Sequence, residues 1–367
     1  MYKNKINWWK VRIGDDEVNK ISQAVAHKRI TQGLVTERLE KRLSKLLDVP
    51  YALLTINGST ALLMSLLACG LKRGDEVIIP NLTFIATAQA PLLLGASLKI
   101  VDVEPKRGLV DVSKIKKAIT PKTRVIIPVH LNGRGADVSI INSLASKYKI
   151  TVIEDAAQAL YSRNKSGFLG TQSDFGIFSL ALTKLVTTVQ GGLIVTRKKK
   201  LFEKLKALRN YGVSRRGFLA YSNTVGFNFK FNDILAAFGL SQIDSIEKRA
   251  KVSRMNYKLY EDGLKGLKCI RIIPNDLESG EFPLWIEALC SKRDKVLSLL
   301  GEKGIQAKPF DPVISDIIKY STRVRFIHSN NYAREGVILP CGPAQRKNSL
   351  LYVIRALRSI DDIIYQK

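Results

Sequence analysis

The chain has 367 residues, 46% of them hydrophobic and 25% charged, enough to bury a sizeable core and to form a large domain plus a smaller one. It contains no uninterrupted apolar run of about 18 residues, which sets aside a transmembrane helix, and Met1 to Lys10 lacks the apolar stretch of a secretory signal. With 59 Lys and Arg against 32 Asp and Glu, the net charge is +27. Such a field favours anionic partners. The basic residues are nevertheless spread along the whole chain, and no homeodomain, zinc-finger or RNP signature accompanies them, so a nucleic-acid-binding role is not expected.

Four cysteines (Cys69, Cys269, Cys290, Cys341) are scattered without a CxxC pair, as in a reduced cytoplasmic protein. Three histidines (His27, His130, His328) show no metal-ligand spacing, and no metal is expected.

In chain order, Tyr51–Ile56 reads as a strand, Ser59–Ala68 as an apolar helix, Glu76–Ile79 as a strand and Thr83–Leu94 as a helix. Leu98–Val103 is a strand, Val112–Ile119 a helix, Arg124–Val129 a buried strand, Ser139–Lys147 a helix and Thr151–Glu154 a strand. Gly176–Ser179 and Leu193–Thr196 follow as short strands close together, and the cluster Arg197 to Lys200 as the solvated start of a helix. This βαβα rhythm predicts an α/β fold with a mainly parallel mixed sheet flanked by helices. Beyond Asn232 the pattern changes. A helical stretch from Ile234 to Leu264 leads to strands near Ile270–Ile273 and Leu284–Leu289, then a terminal helix over Ser349–Ile360. The expected division is a large domain over 1–245 and a smaller α+β domain over 246–367, hinged in that helix.

In open α/β sheets, ligands bind beyond the carboxyl ends of the strands. Three polar groups fall at such ends. Asn57-Gly58-Ser59-Thr60 joins a strand to a helix and reads either as an ordinary N-cap or as a phosphate cradle built from free N–H groups and hydroxyls. Asp155 and Gln158 follow the strand at 151–154; the acid either caps a helix or faces a ligand. Facing a pyridine nitrogen about 4 Å away at an effective dielectric near 20, it would contribute roughly 4 kcal/mol, enough to raise a pyridine pKa by about 3. Lys184 sits between Leu182 and Leu185 in a charge-poor segment that ends in Gln190-Gly191-Gly192. It is either a surface lysine or an amine desolvated enough to condense with an aldehyde. His130 either carries a structural hydrogen bond or faces the site, and Trp8-Trp9 either line an entrance or pack on the large domain.

A phosphate cradle, an acid–amide pair and then a lysine, in that order, form a pyridoxal-phosphate constellation. The segments "TQGLVTERLEKRLSKLLDVPYALLTINGSTALLMSLL", "VDVEP", "VIIPVHLNGRGAD", "VIEDAAQAL", "FSLALTKLVTTVQGG" and "GFNFKFNDILAAFGLSQI" resemble the DegT/DnrJ/EryC1/StrS aminotransferases from about residue 11 to 250, and more loosely beyond.

The resemblance implies a fold-type-I enzyme with pyridoxal 5'-phosphate on Lys184, which also shuttles the proton in catalysis. Asp155 would pair with the ring nitrogen, Gln158 with the ring oxygen, and Phe84 would stack on the ring. Gly58, Ser59, the Thr60 backbone and Ser179 would hold the phosphate. Asn228 would reach the neighbouring subunit's cofactor in a homodimer with shared active sites, and Thr31-Gln32-Gly33 would lie near the sugar. L-Glutamate is the implied amino donor and a nucleotide-diphosphate keto-deoxysugar the acceptor, for surface polysaccharide or glycan synthesis. Where the family often carries His or an aromatic before its lysine, this chain has Leu180, Ala181 and Leu182. Its phosphate turn begins with Asn57 instead of the family's more usual Ser. A pyridoxal enzyme acting on a non-sugar ketone or amino acid, and a non-catalytic regulatory or nucleic-acid-binding protein on the same fold, are the alternatives.

Overall fold

The computed structural model describes residues 5–213, 225–321 and 324–365. Two helices open the chain, α1 (Asp15–Ala26) and α2 (Leu34–Leu46). Strands and helices then alternate: β1 (Tyr51–Thr55), α3 (Gly58–Cys69), β2 (Glu76–Pro80), α4 (Ala86–Leu93), β3 (Ser97–Val101), α5 (Val112–Ala118), β4 (Thr123–Ile126), α6 (Val138–Tyr148) and β5 (Thr151–Asp155). A small hairpin, β6 (Arg163–Asn164) and β7 (Gly167–Phe168), precedes β8 (Phe175–Ser179), β9 (Gly192–Thr196) and α7 (Lys199–Arg209).

These strands make one seven-stranded sheet in the order β1-β9-β8-β5-β4-β2-β3. Only β9 runs antiparallel to its neighbours, so the sheet is mixed and mainly parallel, the class expected from the βαβα rhythm. Successive residues of a strand point to opposite faces, and the core divides accordingly. Leu53, Ile177 and Ile194 pack with Leu62 and Leu66 of α3 and Leu205 of α7 on one side. Leu54, Phe178 and Val195 pack with Leu39 and Leu43 of α2 on the other.

The helical stretch beyond residue 232 is two helices, α8 (Asp233–Asp244) and α9 (Ile246–Gly263). The break at Ser245 has a local cause: its hydroxyl donates to the Gln242 carbonyl (3.1 Å) and accepts from Arg249 Nε (2.8 Å), a side-chain alternative to the helical ladder. There we propose the boundary between a large domain, 1–245, and a small one, 246–367. The small unit continues with β10 (Ile270–Ile272), β11 (Ile286–Cys290), α10 (Arg293–Glu302), β12 (Lys308–Pro309), α11 (Ile314–Ile317), α12 (Ile327–Glu335), β13 (Gly336–Leu339) and α13 (Lys347–Tyr365). Its antiparallel sheet runs β10-β11-β13-β12. The N-terminal segment, although numbered in the large domain, packs on this unit: Ile6 bridges to Ile305 and Trp9 to Cys341, and both side chains pack against the small unit's core. Among the described residues, no helix is long and apolar enough to cross a membrane.

Element boundaries shift where side chains intervene. The strand expected to reach Val103 stops at Val101, since the Asp102 carboxylate accepts from the N–H groups of Val103, His328 and Ser329 and so ties β3 to α12. The helix expected from Thr83 begins at Ala86, because residues 81–84 form a turn pinned by Asn81 to Ser329 and Ser315.

Candidate active site

Strand β5 lies between β4 and β8 in the middle of the large sheet, and Asp155 is its last residue. The Asp155 backbone is fully engaged, its N–H donating to Pro128 O and its carbonyl accepting from His130 N–H (both 2.9 Å). This rigid strand end fixes the side chain. Oδ2 accepts from Thr87 Oγ1 (2.8 Å) and Oδ1 from Ala157 N–H (3.1 Å). Thr87 spends its one hydroxyl proton on Asp155, so Thr83, 2.9 Å away, donates to Thr87. Burial pushes the Asp155 pKa up, and these hydrogen bonds, with Lys184 and His130, push it back down.

Lys184 sits in the loop that links antiparallel β8 to β9. That loop is buttoned across its base: Leu180 N–H donates to Gly191 O and Thr188 N–H to Leu180 O (both 2.9 Å). The lysine Nζ lies 4.9 Å from the ring centroid of Trp285, which enters from the second unit. The ring covering this amine therefore comes from the residue just before β11. Burial pushes the Lys184 pKa down to about 8; Asp155 opposes that fall and Lys308 adds to it. An amine near 8 is free base often enough at neutral pH to act as a nucleophile.

Lys184 and Asp155 share one cavity of about 410 Å³. Gly58, Ser59 and Ser179 line it as well, with Phe84 at the wall and 58% exposed. A Cβ on Gly58 would stand 3.3 Å from the Ser179 Cβ, so glycine is what lets the start of α3 approach the end of β8. The first N–H groups of a helix have no intrahelical acceptor, and the dipole favours an anion there. Thr60 departs from expectation: it does not line the cavity, and its N–H donates to Asn57 Oδ1 (2.8 Å). Asn57 is thus the N-cap of α3, and of the expected cradle residues, Gly58, Ser59 and Ser179 line the cavity.

Gln158 lines the cavity too, and its Oε1 accepts from Asn132 N–H (2.8 Å), which leaves its NH2 group for a ligand. Asn132 takes the left-handed conformation (φ 52°, ψ 37°) and grips the Trp285 backbone from both sides. Its Oδ1 accepts from Trp285 N–H (2.7 Å) and its Nδ2 donates to Trp285 O (3.1 Å). The Trp285 indole N–H donates to Thr183 O (3.3 Å), which closes a circuit from Gln158 to the residue beside Lys184.

The remaining expected residues lie elsewhere. Thr31, Gln32 and Gly33 do not line this cavity; Thr31 O accepts from Asp233 N–H and Gly33 N–H donates to the Asp233 carboxylate. Asn228 is exposed, bridges to Asn210 and does not line the cavity either. His130 is wholly buried outside the lining: Nδ1 accepts from Ala136 N–H (3.1 Å), so Nε2 carries the proton and donates to Glu154 (2.9 Å), a structural role. Trp8 lines the cavity, its ring 6.3 Å from that of Trp285. Thr87, Trp285, Glu287 and Lys308 are lining residues that sequence reasoning missed.

A half-buried lysine of lowered pKa facing an acid at a strand end, beside a helix start suited to phosphate, on a mainly parallel sheet, defines an aminotransferase of fold type I. The comparisons agree. The model of the DegT/DnrJ/EryC1/StrS aminotransferase family matches residues 11–358, and the chain belongs to that family. It is 35% identical over 286 residues to GDP-perosamine synthase of Caulobacter vibrioides, covering 75% of this chain and 76% of the relative. It is 32% identical over 341 residues to dTDP-4-amino-4,6-dideoxy-D-glucose transaminase of Shigella dysenteriae, covering 89% and 90%. Among solved structures, DesV of S. venezuelae, in complex with a ketimine intermediate, superposes with a TM-score of 0.88 at 27% identity, over 94% of each chain.

Proposed function

We propose that this aminotransferase binds pyridoxal 5'-phosphate and moves an amino group from L-glutamate to the keto carbon of a nucleotide-diphosphate deoxysugar, for polysaccharide or glycan synthesis in the cytoplasm. The observation that carries the reading is the juxtaposition of Lys184, its pKa lowered to about 8, with the buried Asp155 across one cavity. The residues present fit the cofactor: the Gly58 approach to Ser179 makes a cradle that any Cβ would narrow. Gly58, Ser59 and Ser179 would hold the phosphate, Gln158 NH2 the ring oxygen, Asp155 the ring nitrogen and Phe84 a ring face. Bound there, the cofactor supplies the electron sink for carbanion chemistry. Lys184 contributes the amine and moves the proton, Asp155 keeps a positive charge beside it favourable, and Trp285 holds the lysine against solvent. The sugar acceptor is supported by what the named relatives make, a GDP-linked and a dTDP-linked amino sugar.

Asn228 and the 31–33 loop are joined through the turn into α8, where Asp233 bonds to both Thr31 and Gly33. Standing away from this chain's cavity, they suit the sugar and phosphate sites of a partner copy, which makes the active form a homodimer. The decisive measurement is the absorbance of the protein with added pyridoxal phosphate, beside Lys184→Ala. The expected result is a band above about 400 nm that L-glutamate bleaches and the variant lacks. A wild type that stays colourless would sink the reading.

A further inference from the structure

The small sheet supplies one wall of the cavity. Lys308, Ile338 and Glu287 stand in register across β12, β13 and β11, Ile338 opposite each of the other two, and all three line the cavity. Residues directly opposite on antiparallel strands point to the same face. The wall therefore carries a cation at one edge and a carboxylate about 10 Å away, two strand spacings across.

The two ends differ in construction. Lys308 is half-exposed and paired with Asp311 (3.2 Å). Glu287 is 4% exposed, and its Oε2 accepts from Nη1 of Arg134 (2.8 Å), a residue with no exposed surface at all. No other hydrogen-bond donor among the described residues reaches the Glu287 carboxylate, and Arg134 Nε and Nη2 have no partner among them. Among the described residues, Glu287 is thus the group that both compensates a buried guanidinium and opens onto the ligand space. A buried ion pair is a poor way to stabilise a wall that aliphatic residues would fill as well. A carboxylate clamped from behind, however, is a rigid acceptor for hydroxyl groups, and it accepts only.

Resting on the sugar-aminotransferase reading above, we infer that Glu287, clamped by Arg134, receives a ring hydroxyl of the sugar acceptor and acts as a specificity residue. The amino donor gains nothing from this contact, since its carboxylates would meet a like charge. The two half-reactions are therefore expected to depend on Glu287 differently.

The test uses the cofactor-loaded full chain and Glu287→Gln, which preserves shape and an oxygen for Arg134. Bleaching by L-glutamate should proceed no slower than in the wild type, while kcat/KM for the UDP-, GDP- or dTDP-linked 4-keto-6-deoxy sugar turned over by the wild type falls about tenfold to a hundredfold. Binding of the corresponding amino sugar, read from the fluorescence of Trp8 and Trp285, should weaken by the same factor. A deoxy analogue lacking the partner hydroxyl should lose that factor in the wild type and little more in the variant. The double variant Arg134→Met/Glu287→Leu replaces the pair by apolar side chains and should show the same sugar-selective loss. Unchanged sugar kinetics, an equal loss in the glutamate half-reaction, or additive effects of variant and analogue would each overturn the assignment. A wild type bleached by glutamate that accepts none of the three sugars would overturn it together with the sugar reading, and one that glutamate does not bleach would fell the aminotransferase reading itself.

Discussion

Replacing Thr87 by valine removes one hydroxyl from the wholly buried residue that donates to Asp155 and leaves its branched shape in place. A hydrogen bond to a charged group contributes about 1.5–3 kcal/mol, so its loss should raise the Asp155 pKa further beyond the elevation burial already imposes. The sign follows from linkage. An acid whose pKa is higher folded than unfolded costs nothing where both states are protonated, and its full cost applies above the folded pKa. Thr87→Val should therefore lower the unfolding free energy of the cofactor-free protein by about 1.5–3 kcal/mol at neutral pH. The deficit should shrink towards zero as pH falls to about 4, near the unfolded pKa of an aspartate. Urea unfolding of wild type, Thr87→Val and Thr87→Ser at both pH values measures this, with the serine variant expected to recover much of the difference. An equal loss at both pH values would refute the reasoning, because it would trace to packing and not to the charge on Asp155.

Two further outcomes follow from the site. With its pKa lowered to about 8, Lys184 is half free base near that pH, a fraction roughly a hundredfold larger than for an ordinary lysine. Capture of pyridoxal phosphate by the cofactor-free protein should accelerate up to pH about 8 and then level off; a rate still climbing at pH 10 would contradict the lowered pKa. In the proposed shared-site dimer, co-refolding Lys184→Ala with Asn228→Ala should yield mixed dimers with one intact site and more transamination than either parent. A mixture no more active than its parents would show that Asn228 does not serve the partner's cofactor.

Asp155 and Lys184, which share the cavity, were legible because Asp155 closes an apolar run and Lys184 follows another. Asn57 also showed its character, since an Asn before a helix is a standard N-cap. What could not be weighed from the sequence was that the cap would consume the Thr60 N–H. Helix α2 and its C-cap carried a readable signal, Leu39, Leu43 and Leu47 at spacings of four, and all three are buried. Trp285, Glu287 and Lys308 were beyond reach for a different reason. They arrive from a second sheet, and only its register and its docking on the first place them at Lys184. Thr87 was hidden in the small-residue stretch of α4, where nothing local marks a partner for Asp155.

The grip of Asn132 on Trp285 has a consequence for how the molecule comes apart. One cavity draws its floor from the large sheet and its wall from the small one, and Asn132 is one of the residues that tie the two at the backbone, beside Asn81, Asp102 and Ser162. A molecule seated between them is a rivet through both plates. At a concentration of about 100 Kd it would add about 2.7 kcal/mol to the stability of the joined structure. Neither unit collects that gain alone. Occupancy of the site should therefore raise the temperature at which the two proposed units separate.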